Sequence, residues 1–190
     1  MTTTLYFIRH AESDATVREE EIRPLTPKGT EDAKKLARFF SALELNEVYA
    51  SPYQRTVDTV QGVADAHGLT VHLHEGLRER RVGSWVEDFM SYAHQQWGDF
   101  RYKLAEGECL EDVQRRNLAA LDEILHRHEG RTVVIGTHGT ALSTILHHYD
   151  PGYGWEGFCR IVNRMPYVIR LRFEGHQLME MRELEWESGC

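Results

Sequence analysis

The strongest constraint on this chain is an apolar run that ends abruptly in an arginine and a histidine: Leu5-Tyr6-Phe7-Ile8-Arg9-His10. An aromatic and branched run of this length reads as a buried strand, here from Thr4 to Arg9. The polar pair then falls at the strand's carboxyl end, the edge of an open α/β sheet where ligands bind. A second strand ends in the same way. Thr132-Val133-Val134-Ile135 is continuous and β-branched, like a central parallel strand, and it runs into Gly136-Thr137-His138-Gly139-Thr140. The glycines there let backbone approach a ligand closely. A single Arg-His after a strand would read as the polar start of a loop. The weight comes from features elsewhere that agree with it.

Between these strands the pattern alternates. Residues 11–27 are polar and read as a loop. Thr26 is placed to cap a helix and Pro27 suits its first position. Ala33, Leu36, Ala37 and Phe40 then recur at spacings of three and four, which gives one buried face. Glu47 to Ala50 is a short strand. Ser51-Pro52 predicts the start of a second helix running to about Ala66, with Ser51 as its cap. Arg55 falls in the first turn of that helix, where backbone N–H groups and the helix dipole favour an anion. Leu69 to Leu73 is a third strand, and His72 and His74 on one of its faces read as exposed polar residues. In Leu77-Arg78-Glu79-Arg80-Arg81-Val82-Gly83 a glutamate is flanked by arginines. Trp85, Phe89, Tyr92, Trp97, Phe100 and Tyr102 follow at broadly helical spacing, as a lid or side wall whose aromatics are mostly packing. A long amphipathic helix from Leu110 to about His128 ends at Gly130, and another helix follows His138, from about Ala141 to Tyr149. Tyr167–Phe173 and Gln177–Met181 alternate about Glu174-Gly175-His176 and predict an edge hairpin.

With 190 residues, 41% of them hydrophobic, the chain is long enough for one domain with a substantial core. A net charge of −8 argues against nucleic acid as a partner, which usually needs a basic surface. Arginines are nonetheless concentrated locally, at Arg78, Arg80 and Arg81 and after the strands at Arg9 and Arg55. That concentration points to a small anionic ligand; the alternative is pairing with Glu75, Glu79, Glu87 and Asp88 on a solvated surface. Three cysteines, odd in number and without a C-x-x-C, argue against a disulfide framework and suggest a reducing cytosol. No signal peptide is visible in residues 1–20, and no apolar run reaches the ~18 residues of a membrane span. The expectation is a cytoplasmic protein with neither membrane nor nucleic-acid partners; its oligomeric state is not legible.

Taken together in chain order, these elements resemble the histidine phosphatase superfamily, the phosphoglycerate mutase-like family. Arg9-His10-Ala11-Glu12-Ser13 is similar to its R-H-G-E-[ST] signature, and Leu25-Thr26-Pro27-Lys28-Gly29 to its L-T-x-x-G helix start. Tyr49-Ala50-Ser51-Pro52-Tyr53-Gln54-Arg55-Thr56 resembles V-x-S-S-P-x-x-R-[AT]. Leu77-Arg78-Glu79 with Gly83 resembles the segment that holds the acid, Gly107-Glu108-Cys109 resembles G-E-S, and Thr137-His138-Gly139 resembles the second-histidine loop. The resemblance covers nearly the whole chain. It implies a three-layer α/β/α fold with a mostly parallel central sheet, in which 1–190 is a single domain and 81–107 a lid or side-wall insertion.

The resemblance also implies roles. His10 would be the nucleophile that becomes phosphorylated, and Arg9, Arg55 and His138 would surround the phosphoryl group. Glu79 would be the general acid. Ser13, Thr16, Arg80 and Gly139 would contribute to phosphate or substrate binding. Four positions depart from the pattern: Ala11 for glycine, Thr16 where an asparagine often contacts phosphate, Cys109 for serine and Thr140 for a second glycine. None removes the charged core.

The chemistry of the residues agrees. Phosphoryl transfer spreads charge over three oxygens, so catalysis is mostly positioning and electrostatic stabilisation, for which forked, always-charged arginines are suited. Imidazole is nucleophilic only when neutral, and its other nitrogen needs a hydrogen bond to set the tautomer. The expected activity is hydrolysis of a small phosphomonoester through a phosphohistidine, with no metal and no cofactor, as in the shorter phosphatase branch. Beyond Arg81, the 81–107 segment has only Arg101 and Lys103 as cations, few for holding a mutase's phosphorylated product. Mutase-type phosphoryl transfer is the alternative within the class. A non-catalytic phospholigand-binding module and a metal-dependent hydrolase are the alternatives outside it.

Overall fold

The computed structural model describes residues 1–186. Its elements in chain order are β1 (Thr2–Arg9), α1 (Pro27–Phe40), β2 (Glu47–Ala50), α2 (Gln54–Ala66) and β3 (Val71–Leu73). A short 3-10 turn at Glu75–Leu77 precedes α3 (Phe89–Gly98), α4 (Leu110–Arg127), β4 (Thr132–Thr137) and α5 (Gly139–Tyr149). The chain then forms α6 (Trp155–Val162) and the hairpin β5 (Tyr167–Glu174) and β6 (Gln177–Glu183). One sheet takes the strands in the order β3-β2-β4-β1-β5-β6. β3, β2, β4 and β1 are parallel neighbours, whereas β5 runs antiparallel to both β1 and β6. The result is the mostly parallel, three-layer α/β/α arrangement expected, with the hairpin at one edge.

Strand alternation builds the two outer layers. Leu5 and Phe7 of β1 point into one core with Val133 and Ile135 of β4, covered by Leu121 and Ile124 of α4 and by Leu142 and Ile145 of α5. Tyr6 and Ile8 point the other way, with Val48 and Val134, onto Leu36 and Phe40 of α1 and Val60 and Val63 of α2. Each of these side chains is at most 8% exposed, so both faces of the sheet are dry. Removing even one methylene from such close packing would be felt.

Several local expectations hold. Thr26 caps α1, its hydroxyl accepting from Gly29 N at 3.0 Å, with Pro27 at the first position. The same turn docks on the loop after β1: Thr26 N donates to Glu12 O at 2.9 Å and Thr26 Oγ1 to Glu12 Oε1 at 2.8 Å. Gly29 is required there, because a Cβ would lie 2.1 Å from Glu12 O. One expectation fails. Ser51 does not cap α2, which begins after Tyr53 without a side-chain cap, because its hydroxyl is engaged with His138 at 2.7 Å. The helix α6 was not foreseen. It is short and holds a glycine in a turn-rich stretch, and it is stabilised by burying Phe158 and Ile161 rather than by local propensity.

The segment predicted as an insertion is closed at its base. Glu108 N donates to Arg81 O at 2.8 Å, and Arg81 N donates back to Glu108 Oε2 at 2.9 Å. Gly83 and Gly107 let the two backbones cross: a Cβ on Gly83 would lie 2.5 Å from Gly107 N, and one on Gly107 2.4 Å from Val82 O. Of its aromatics, Tyr92 is buried and Trp97 packs on Phe100, His147 and Phe158, whereas Trp85 is 64% and Phe89 37% exposed.

Candidate active site

Parallel pairing fixes where the two histidines emerge. Arg9 stands in register with Thr137, and His10 N donates to Thr137 O at 3.0 Å. Ser51 N likewise donates to Gly136 O at 3.0 Å. The residues after β1, β2 and β4 therefore leave the sheet side by side. The rings of His10 and His138 meet edge to face with centroids 5.4 Å apart. His10 is 6% exposed and His138 is fully buried.

The protonation state of His10 follows from its neighbours. Its Nδ1 lies 2.8 Å from Ala11 O. A carbonyl can only accept, so Nδ1 carries the hydrogen and Nε2 keeps its lone pair. Burial, and then the positive charge of Arg55 and Arg9, hold His10 well below the ordinary imidazole value, so it is neutral at physiological pH. Burial and the same two arginines, with His10 itself, depress His138 in the same way. Both rings are thus kept as imidazoles inside a cationic frame.

The arginines are anchored at one end and unsatisfied at another. Arg9 Nη1 donates to three carbonyls at the end of α6, those of Ile161 (2.7 Å), Val162 (2.8 Å) and Arg164 (2.9 Å). Burial lowers its pKa to about 10, still charged near neutrality. Arg55, 2% exposed, reaches the loop before α1, donating through Nη1 to Glu20 O at 2.6 Å and through Nη2 to Glu20 Oε2 at 2.7 Å. Thr59 joins this part of α2 to the first histidine: Ala11 N donates to Thr59 Oγ1 at 2.9 Å, and Thr59 Oγ1 donates to Arg55 O at 2.6 Å. Arg9 Nε, Arg55 Nε and His138 Nδ1 are all buried without a protein partner among the described residues. Buried polar atoms are rarely left so. Here three such atoms belong to residues grouped around two imidazoles.

Glu79 closes the group on the α5 side. Its Oε2 accepts from Thr140 N at 3.0 Å, and its Oε1 from Ala141 N at 3.0 Å and Arg80 N at 2.7 Å. A carboxylate at a helix N-terminus is a favourable placement, and its charge is felt by Arg9, Arg55 and Arg80. Arg80 is buried, hydrogen-bonded to Gln96 and faced by the rings of Phe89 and Tyr92 at 5.3 and 5.0 Å. Gly139 permits close approach of Arg9, whose Nε would lie 3.2 Å from a Cβ there. Ser13 sits in the loop after β1, bridged to Leu25. Thr16 is exposed and gives its hydroxyl to Asp14 Oδ1 at 2.6 Å; nothing in the structure links it to the histidines.

Other participants carried no clear signal in the sequence. Tyr53 packs its ring on His138 at 5.1 Å and lies under the Arg55 guanidinium, also at 5.1 Å. Arg23 bridges to Glu20 at 3.1 Å, and its charge reaches both His10 and Arg55. Arg116 clamps Glu108 at 3.0 Å and donates to the carbonyls of Gly76 and Arg78, which holds the strand of chain leading to Glu79. A third arginine in the loop before Leu25 could have been suspected from its neighbourhood to the helix-start motif; Tyr53 and Arg116 could not.

A family model described as histidine phosphatase superfamily (branch 1) matches residues 5–185. This chain is a histidine phosphatase superfamily member. A protein named probable phosphoglycerate mutase GpmB, from Enterobacter sp. (strain 638), is 27% identical over 155 residues, 75% of this chain and 72% of its own. The solved structure of YhfR from Bacillus stearothermophilus superposes with a TM-score of 0.77 at 29% identity, covering 93% of this chain and 94% of that one. Mycobacterial glucosyl-3-phosphoglycerate phosphatase shares the fold, with a TM-score of 0.75 at 18% identity over 96% of this chain and 97% of its own. The chain thus resembles a mutase-named protein in sequence and shares its fold with a phosphatase. Among its described residues no helix is long and apolar enough to cross a membrane.

Proposed function

We propose that this histidine phosphatase hydrolyses a phosphomonoester through a covalent phosphohistidine at His10. The observation that carries the reading is the buried group itself: a neutral His10 whose Nδ1–H is taken by Ala11 O, beside His138 and two arginines whose buried Nε–H groups lack partners among the described residues. His10 Nε2 attacks phosphorus and the phosphorus–oxygen bond to the leaving group breaks. Arg9, Arg55 and His138 stabilise the charge on the equatorial oxygens. A protonated Glu79 gives its proton to the departing alkoxide. In the second half, water attacks the phosphohistidine, the nitrogen–phosphorus bond breaks, and Glu79 takes the water's proton. The 81–107 segment is read as the lid or side wall over the leaving group. Free thiols at Cys109 and Cys159 are in keeping with a cytoplasmic setting.

Mutase-type transfer is the second reading, favoured by the name of the Enterobacter relative. Against it, Arg101 and Lys103 pair with Glu111 at 3.2 Å and Asp112 at 3.9 Å, and are taken up on the outer surface. Rapid quenching with a radiolabelled ester should trap acid-labile phosphate on wild-type protein and none on His10→Ala, with inorganic phosphate as the product. Turnover without phosphohistidine would refute the mechanism. Return of the label to a second phosphoglycerate position would favour the mutase.

A further inference from the structure

We infer that the leaving group of the preferred substrate is a flat ring system, not a small carboxylated alcohol. The inference rests on the phosphatase reading and extends it to the other half of the substrate. Beside the buried group lies a cleft of about 830 Å³. Its lining includes Tyr53, which packs on His138, and Glu20, which holds Arg55, and we take it as the space that the ester of a phosphoryl group at His10 would enter. Specific small-molecule sites of roughly 300–1,000 Å³ hold drug-sized ligands, and a three-carbon acid would leave most of this space wet.

The walls of the cleft have a particular chemistry. Trp85 and Phe89 stand exposed in it, with Ile22, Val82 and Val86 between them. Both aromatics are faced by guanidinium planes, Arg18 over Trp85 at 4.7 Å and Arg80 over Phe89 at 5.3 Å. These rings already take flat cationic partners, and a planar ligand would stack on Trp85 by displacing the exposed Arg18 guanidinium, whereas the buried Arg80 keeps its place on Phe89. Glu19, Glu20 and Glu21 line the wall formed by the loop before α1 alongside Arg18, Arg23, Arg80 and Arg81, so charge alone does not select the leaving group and its volume and apolar lining carry the choice. Arg80 and Arg23 are engaged, by Gln96 and by Glu20 and Val17 O respectively. The exposed aromatics follow closely on the crossing at Gly83, where the backbone packs against Gly107, so the wall is anchored at its base although its face is open.

The test uses esters of equal leaving-group basicity: 2-(1-naphthyl)ethyl phosphate, ethyl phosphate and 3-phosphoglycerate, each assayed for released phosphate and for phosphohistidine. The naphthyl ester should exceed ethyl phosphate in kcat/KM by about tenfold or more, the scale of one stacked ring. Trp85→Ala and Phe89→Leu should each shrink that ratio, mainly through KM; Trp85 is exposed, so its removal threatens the fold little. Equal kcat/KM for the naphthyl and ethyl esters, or a preference for 3-phosphoglycerate, would overturn the inference while leaving phosphohistidine chemistry standing. Absence of phosphohistidine with all three would overturn the phosphatase reading and this inference with it.

Discussion

The floor and the rim of the candidate site are built on opposite terms. The floor, His10, His138, Ser51 and Arg55, hangs from parallel strand ends and the start of α2, and each residue is at most 6% exposed. Apart from the Arg55–Glu20 carboxylate pair, its bonds run to backbone or to buried hydroxyls, so its geometry is set by the same packing that holds the sheet. The rim, Glu20 and the Trp85–Phe89 stretch, is exposed and held by few hydrogen bonds. Glu20 is the clearest case: its side chain is half exposed, yet it occupies an arginine that is almost fully buried. Such a pair ties a buried cation to a carboxylate that water still reaches, so an incoming anion can compete for the guanidinium from the open side. A rigid floor suits chemistry that depends on placement. A loosely held rim suits selection and access, and it can change without disturbing the floor.

That contrast predicts a graded series of effects. His10→Ala should lower kcat by about ten-thousandfold or more, because no other group can form the covalent intermediate. Substantial residual turnover in a phosphatase assay would place the nucleophile elsewhere. Arg55→Ala should cost about a hundredfold to a thousandfold in kcat/KM, the usual scale for one lost transition-state donor. Ser51→Ala leaves His138 Nε2 without its partner and should cost about fivefold in kcat, from roughly 1 kcal/mol of lost orientation. An effect as large as that of Arg55 would show that the hydroxyl does more than orient the ring.

Glu20→Gln tests the rim against the floor at the same guanidinium. Removing the carboxylate that already holds Arg55 should tighten inorganic phosphate inhibition by about threefold to tenfold, because the incoming anion no longer displaces a charged competitor. Weaker phosphate inhibition would mean that Glu20 orients Arg55 instead.

The smallest effect is on stability. His10 and His138 are depressed in the fold, chiefly by burial, whereas in the unfolded chain imidazoles titrate near ~6.5. Between those values the unfolded chain binds more protons, so their contribution is complete above about pH 6.5 and is lost as the pH falls below it. Tm should decline with acidification, and more gently in His10→Asn than in wild type. Identical slopes would show that burial of this ring does not govern the acid response.

Much of this was visible in the chain. Runs such as Leu5–Ile8 and Val133–Ile135 declare strands because their side chains need cover on both faces, and the caps at Thr26 and Pro27 act within one turn. The two strand-ending histidines and Arg55 stood out because strand ends and a helix start are where an anion site forms, whereas Glu79 was singled out by the family resemblance and its flanking arginines alone read as paired surface charge. Ser51 was misread because a hydroxyl before a helix usually serves the helix; only strand register brought it within reach of His138. Tyr53, Arg23 and Arg116 act through partners tens of residues away, and α6 exists because it packs. Local sequence therefore determined the elements and the reactive groups, through short-range sterics and hydrogen bonding. The tertiary structure alone decided the meeting of His138 with Ser51, the loss of charge on both imidazoles and the carboxylate lying on Arg55, because burial and long-range pairing are properties of the assembled fold.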